Sequence, residues 1–473
     1  MAEIEEPTVD VKLFVDKDKK KVLFAESDKE FVDVLFSFLT LPLGTIVRIL
    51  GEQSQMGCLD EVYKSVEDLS TDFFQTKACK AMLLKPLNAA SSHSVYVCKD
   101  TSCCAHGDRA FSSFPAAVCR CGKAMQYAGD ALEDDGDLAL AGGAREAGVF
   151  VKGLLKFIIT DDLIVAPAST SLMLSLFQKF GVRDPETIEE TILQLSSEKI
   201  TSLLKRSLTS KQPLTEHCFN VPIAHDDASL DTLTRNLYPD QQNEAEERLG
   251  ILKIRVLQMK NNSTLLYAEV GEDFVDSLFG LLSIPLGSIM KSIWSLDGSA
   301  KEFMRSECQS LLLAPKSFKV DELAPRELRI AACFTCLKNE GFSDFQRCHR
   351  STWCRAYKHI EPDCQNRVKS ITLCEANPKV PNDGSEIGEA YVKVGHTKFV
   401  VTDDLHVLPH SLSSTLQIVT EAKIQTEKLV EKEITLTKSQ VMELQRAVLT
   451  HGNALSSVLL LPKKKKNLNY LMC

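Results

Sequence analysis

The chain opens with two short β-prone runs, Val11–Val15 and Val22–Glu26, around the polar stretch Lys17-Asp18-Lys19-Lys20-Lys21. Two such runs about a polar turn predict a β-hairpin. The period then changes. Phe31, Val34, Leu35 and Phe38 fall at i, i+3, i+4 and i+7, one face of a helix, with Asp28 placed to cap it. Val32, Phe36 and Leu39 add a second apolar stripe, so this helix should be buried on most sides. Leu41-Pro42-Leu43-Gly44 ends it, because Pro42 cannot continue a helix and Gly44 permits a turn. A further helical run starts near Thr45. Phe150–Val165 has strand character, broken at Asp161-Asp162, and the rest of the copy reads as a helical tail. Gly181 stops one helical segment there, and Asp184-Pro185 carries the cap-then-proline signal that starts another.

The same pattern returns. Val22–Ile46 (VLFAESDKEFVDVLFSFLTLPLGTI) and Leu265–Ile289 (LLYAEVGEDFVDSLFGLLSIPLGSI) are identical at 13 of 25 positions without a gap, where unrelated segments would share about one or two. Cys79–Pro86 pairs with Cys308–Pro315 and Phe157–Leu163 (FIITDDL) with Phe399–Leu405 (FVVTDDL). The offset falls from 243 to 229 and returns to 242, so the second copy has lost 14 residues in a stretch where the first has Cys58 to Leu69. In the second copy Thr437 and Gln440 stand at capping-box spacing before Val441–Leu449. The polar stretch holding DDASLD and QQNEAEE breaks the periodicity. The expected organisation is a first unit over 1–220, a linker over 221–249 and a second unit over 250–473. Strands and helices mix without the regular alternation of a parallel sheet, which predicts an α+β fold in two tandem copies.

Composition adds exclusions. Of 473 residues, 44% are hydrophobic and 25% charged, ordinary for a globular chain, and the length suits two domains. A net charge of −9 argues against a general nucleic-acid coat. Met1–Pro7 has neither the basic start nor the apolar run of an export signal, and no apolar stretch reaches the roughly 18 residues of a membrane span. The expected location is therefore a reducing compartment, cytoplasm or nucleus. There, clustered cysteines suggest metal ligands before disulfides.

The chain has 16 cysteines, and each copy carries a cluster at the same point of its pattern. The first is Cys98-x4-Cys103-Cys104 followed by Cys119-x-Cys121-Gly122. Zinc favours four soft ligands on two tight turns. Cys98 with Cys103 (or Cys104) can form one turn and Cys119 with Cys121 the other, with Gly122 letting backbone N–H groups point at sulfur. The second cluster is Cys333-x2-Cys336, then Cys348, Cys354 and Cys364. Its first pair is tighter and its second pair wider, so Cys333, Cys336, Cys348 and Cys354 make a less regular set. The competing readings are buried or surface thiols and, for Cys119 with Cys121, a redox pair. Cys79 and Cys308 sit in apolar helical context and read as core.

Thr160-Asp161-Asp162 and Thr402-Asp403-Asp404 recur. Adjacent carboxylates can bind metal or serve as acid and base, and equally close a turn by bonding nearby backbone. Residues 345–358 (FQRCHRSTWCRAYK) interleave Arg347, Arg350, Arg355 and Lys358 with Phe345, Trp353 and Tyr357, a pattern that can hold single-stranded nucleic acid. Lys463–Lys466 form a basic tail. No phosphate-binding glycine loop, dinucleotide fingerprint, GxSxG or HExxH motif occurs.

The hairpin and helix segment ending in LPLG and the FIITDDL segment, both repeated, with the cysteine pair and CxCG of the first copy, resemble the plant family known as domain of unknown function 674; the second copy departs from that cysteine pattern. The resemblance covers nearly the whole chain and implies the duplicated architecture and a plant source, with no activity attached. The functional expectation is a non-enzymatic, intracellular protein-interaction module with structural zinc in the first unit and a zinc site or its remnant in the second. A nucleic-acid binder using 345–358, and an enzyme using the paired aspartates, are the alternatives.

Overall fold

The computed structural model describes residues 8–88, 93–98, 109–131 apart from 115 and 120, 150–222 apart from 152–154, 252–290 apart from 262 and 263, 303–304, 328–333, 368–375, 378–379, and 390–460 apart from 396. In the first unit β1 (Val9–Asp16) and β2 (Lys21–Ser27) form the expected hairpin. Its turn is held by Asp16, whose carboxylate accepts from the amides of Asp18 and Lys19. β6 (Phe157–Thr160) and β7 (Val165–Pro167) pair on one side of the hairpin and β8 (Ile188–Leu195) on the other, giving an antiparallel sheet of order β7-β6-β2-β1-β8.

The second unit repeats this with β9 (Leu252–Met259), β10 (Leu265–Val270), β13 (Phe399–Thr402), β14 (Val407–Pro409) and β15 (Leu429–Leu436), in order β14-β13-β10-β9-β15. Both hairpins carry a bulge at the same place, at Leu23 and at Leu266. The chain is therefore α+β and duplicated, as its pattern predicts.

Two details of the expected tail differ. Asp184-Pro185 opens only one 3-10 turn, Pro185–Thr187, with the Asp184 carboxylate accepting from the Glu186 amide. The next residues are β8, not helix. β8 is an edge strand with most side chains exposed, so it lacks the apolar alternation that marks a half-buried strand, and eight residues of pairing with β1 define it. Helices α5 (Thr170–Phe180), α6 (Ser197–Thr209) and α7 (Pro213–Cys218) make the rest of the tail. Gly181 ends α5 in the left-handed conformation, φ +70°, as its position implies.

Helix α1 (Lys29–Thr40) buries Phe31, Val32, Leu35, Phe36, Phe38 and Leu39. Asp28 stands at its N-cap, but its side chain does not cap; it pairs with Lys156 at 2.5 Å. Pro42 then holds an extended backbone (ψ 148°), and α2 (Leu43–Ile49) begins two residues before Thr45. At this point the two copies cross. Pro42 and Pro285 face each other in an antiparallel bridge. The Leu43 amide donates to the Ile284 carbonyl, and the Leu286 amide to the Leu41 carbonyl, both at 2.9 Å. The same segment of each copy thus meets its counterpart, as in a two-fold interface.

Beyond the crossing, each copy packs on the other copy's sheet. Helices α2, α3 (Leu59–Asp68) and α4 (Lys77–Leu84) place Leu43, Ile46, Val62, Tyr63, Met82 and Leu83 in one core with Val256, Phe274, Phe279 and Phe399. In return Phe303 and Met304 lie in the core of the first sheet with Leu13, Phe31 and Phe157. The exchange is matched bond for bond. Val151 bridges Met304, and Phe74 bridges Val392. Phe157 packs edge-on to Phe303 at 5.4 Å, and Phe399 to Phe73 at 5.8 Å. In each unit an aspartate of the first helix secures the receiving segment. Asp33 accepts from the Phe150 amide, and Asp276, on α8 (Glu272–Gly280), accepts from Tyr391 and Val392.

Helix α3 lies in the stretch by which the first copy is the longer. Its Ser65 hydroxyl accepts from the Val407 amide of β14, so the longer copy supplies the extra layer of the second core. The second unit ends in α9 (Leu412–Glu421), α10 (Lys438–Thr450) and α11 (Ala454–Leu459), with the Thr437–Gln440 capping box present. A third sheet, β11-β12-β4-β3-β5, joins strands of both copies: β3 (His93–Val97), β4 (Arg109–Ser112), β5 (Gln126–Ala131), β11 (Leu328–Cys333) and β12 (Val368–Glu375). β12 and β4 run parallel and bring the two inserts together.

The repeated aspartates belong to this framework. Asp162 and Asp404 accept from Thr160 and Thr402 within their turns. Asp161 and Asp403 reach further. Asp161 accepts from the Thr215 amide and hydroxyl at 2.9 and 2.6 Å, pinning α7; Asp403 holds α11 through Ser456 at 2.7 and 2.6 Å. Burial pushes both carboxyls above their ordinary range, against the pull of these hydrogen bonds. A carboxyl held up in the folded state binds its proton more readily folded than unfolded. Its contribution to stability therefore falls as pH rises from the ordinary value of about 4 through the raised one. Asp161→Ala leaves the buried Thr215 amide and hydroxyl hydrogen without an acceptor, although the hydroxyl oxygen still accepts from the Val22 amide, and should cost about 1–3 kcal/mol, read from a urea transition. Asp161→Asn keeps an acceptor oxygen and should cost less, and a cost equal to alanine's would contradict this role.

Candidate metal centre

The first insert builds a compact thiol site. β3 leads directly into Cys98. Between β4 and β5 the chain folds back on itself: Val118 bridges Ala124, the Met125 amide donates to the Ala117 carbonyl, and the Cys119 amide donates to the Lys123 carbonyl. At the tip the Gly122 amide donates to the Cys119 carbonyl at 2.8 Å, with Gly122 at φ +80°. The glycine is used as its conformational freedom suggests.

This fold-back brings Cys119 and Cys121 beside Cys98. The three sulfurs lie within 4.8 Å of one another, and Cys98 Sγ is 3.5 Å from Cys121 Sγ. In a tetrahedral zinc–thiolate site, with Zn–S near 2.3 Å, sulfurs stand roughly 3.8 Å apart. The donor set and its spacing fit a thiophilic metal ion. Cys98 and Cys119 are buried, in a small cluster with Ala78, Ala117 and Met125, and Cys121 is exposed.

Cys103 and Cys104, either of which completes the expected four, lie outside the described residues. So do Cys336, Cys348, Cys354, Cys364 and Cys308, residues 345–358 and Lys463–Lys466. Cys333 ends β11, where it pairs with Val368 of β12, much as Val97, next to Cys98, pairs with Gln126 of β5. Cys79 is buried in α4, as its apolar context suggests. Cys58 is also core: its thiol donates to the His451 carbonyl, and burial pushes its pKa up to about 12, which leaves it unreactive.

A cleft of about 320 Å³ opens on the second sheet, lined by Lys253, Arg255, Glu269, Glu272, Lys398 and Glu433. Within it Arg255 pairs with Glu269, and each has a second partner outside the lining, Glu431 for Arg255 and His410 for Glu269. No local sequence pattern marks it, because its members come from three strands and a helix end. Among the described residues no helix is long and apolar enough to cross a membrane.

Fold and site together define a duplicated α+β protein whose copies exchange elements and whose first copy carries a three-thiol, metal-competent knuckle. The chain belongs to the family described as protein of unknown function (DUF674), which it matches over residues 5–297 and again over 291–472. No curated protein and no solved structure matches it.

Proposed function

We propose that this protein is a zinc-braced interaction scaffold, non-enzymatic and intracellular, in which zinc holds the first insert in shape for a protein partner. The observation that carries this reading is the convergence of Cys98, Cys119 and Cys121 on a turn closed by Gly122. In it, Cys103 (or Cys104) supplies the fourth ligand, and Cys333, Cys336, Cys348 and Cys354 form a second, less regular set. The repeated aspartates, the most catalytic-looking residues of the sequence, are engaged in holding α7 and α11.

The test is elemental analysis of protein purified under reducing conditions without added metal. At least one zinc per chain is expected, and Cys119→Ser/Cys121→Ser together should remove it and lower the thermal midpoint. A folded, reduced chain with no zinc overturns the reading.

A further inference from the structure

We propose that Cys98 and Cys121 are a peroxide-sensitive pair whose disulfide unmakes the metal site. The three sulfurs are not equivalent. Cys121 is exposed at the tip of the turn, so an oxidant reaches it first, whereas Cys98 is fully buried. Cys98 Sγ nevertheless stands 3.5 Å from Cys121 Sγ, on a separate segment at the end of β3. A bond between them needs the two sulfurs to close by about 1.5 Å, to the disulfide length near 2.05 Å. Cys119 is the poorer partner. It is two residues from Cys121, and the turn between them is fixed by the Gly122 and Cys119 amides, so bridging this pair works against both hydrogen bonds.

The chemistry balances with hydrogen peroxide as oxidant. The Cys121 thiolate attacks one peroxide oxygen; an S–O bond forms, the O–O bond breaks, and the departing hydroxide takes a proton to become water. The Cys98 thiolate then attacks the Cys121 sulfur. The S–S bond forms, the S–O bond breaks, and a second water leaves. Two thiols are oxidised by two electrons and one peroxide is reduced to two waters. The disulfide removes two of the three sulfurs from any bound metal, so a zinc ion there is released. That last step rests on the zinc reading, while the pairing of Cys98 with Cys121 does not.

The experiment uses the full chain, metal-free and zinc-loaded, treated with one equivalent of hydrogen peroxide, alkylated, digested and mapped by mass spectrometry. A Cys98–Cys121 disulfide, reversed by dithiothreitol, is expected in the metal-free protein. The zinc-loaded protein should release zinc to a chromogenic chelator in step with the same disulfide. With Cys98→Ser, a sulfenic acid trapped by dimedone should accumulate at Cys121. A Cys119–Cys121 bridge, a bridge to Cys103 or Cys104, or over-oxidised Cys121 beside unmodified Cys98 overturns the pairing. If the disulfide forms in a protein that never binds zinc, the pairing stands and the zinc reading falls.

Discussion

One cut in the polar stretch over 221–249 should leave the two halves of this protein together. The halves are joined by much more than the peptide that links them. Leu43, Ile46, Val47, Leu59, Val62, Tyr63, Val66, Phe74, Met82 and Leu83 of the first copy lie buried in the core built on the second sheet, and Phe303 and Met304 return the exchange. Each such side chain contributes roughly 1.5–3 kcal/mol when fully buried. Once the chain is cut, this burial has to offset the roughly 4–15 kcal/mol of translational and rotational freedom that holding two pieces together costs. A protease site placed in this stretch and cut should give a particle that elutes at the intact mass in buffer and as two fragments in denaturant. Separation in buffer would show that the crossing does not carry this energy.

Gly57→Ala should be among the most damaging single-methyl additions. Gly57 adopts φ +51°, and a Cβ there would stand 2.4 Å from the Val448 carbonyl oxygen and 2.8 Å from the backbone of Leu449 and Thr450. None of these is the movable end of a side chain; all belong to α10, of the other copy. The next residue fixes the contact, because the Cys58 amide donates to that same Val448 carbonyl at 2.8 Å. The left-handed backbone alone costs an alanine roughly 1–2 kcal/mol. Forcing the two backbones apart adds to this, for an expected loss of about 3 kcal/mol or more from the urea transition. Gly51→Ala is the control. Gly51 has φ +61° with nothing within 4 Å of an added Cβ, so only that conformational cost of roughly 1–2 kcal/mol remains. Equal losses at the two positions would mean that the contact with α10 is not close. In the cut protein, Gly57→Ala should also promote separation of the halves, since it strains a contact made only between copies.

Much of the framework is legible in the sequence because it is written in short-range patterns. The hairpin, the doubly striped helix, the Gly181 stop and the Thr437–Gln440 cap each depend on residues a few positions apart. The cysteine knuckle is legible for the same reason: Cys119, Cys121 and Gly122 announce a tight turn, and Cys98 precedes it at a spacing one small ribbon can span. Strand β8 is hidden because an exposed edge strand needs no apolar alternation, only a partner, and its partner β1 lies more than 170 residues earlier. The reach of Asp161 to Thr215 and of Asp403 to Ser456 is hidden likewise. A carboxylate beside a turn looks the same whether it bonds its neighbour or a helix more than 50 residues away.

The sequence by itself determined that there are two copies, that each opens with a hairpin and a helix buried on most sides, and that Cys98, Cys119 and Cys121 stand where one small ribbon can gather them. It could not determine which copy's helices complete which core. Because the copies share their apolar faces, α2 and α4 present nearly the same chemistry to either sheet, and no local pattern separates packing at home from packing across. Tertiary structure decided it at Leu41-Pro42-Leu43-Gly44. There the extended backbone of Pro42 carries the chain away from its own sheet, and Gly44 lets it pass close to the backbone of Leu282, whose carbonyl oxygen would stand 3.1 Å from any Cβ at that position. The matching turn at Pro285 returns the exchange, so the two crossings satisfy each other's amides and carbonyls.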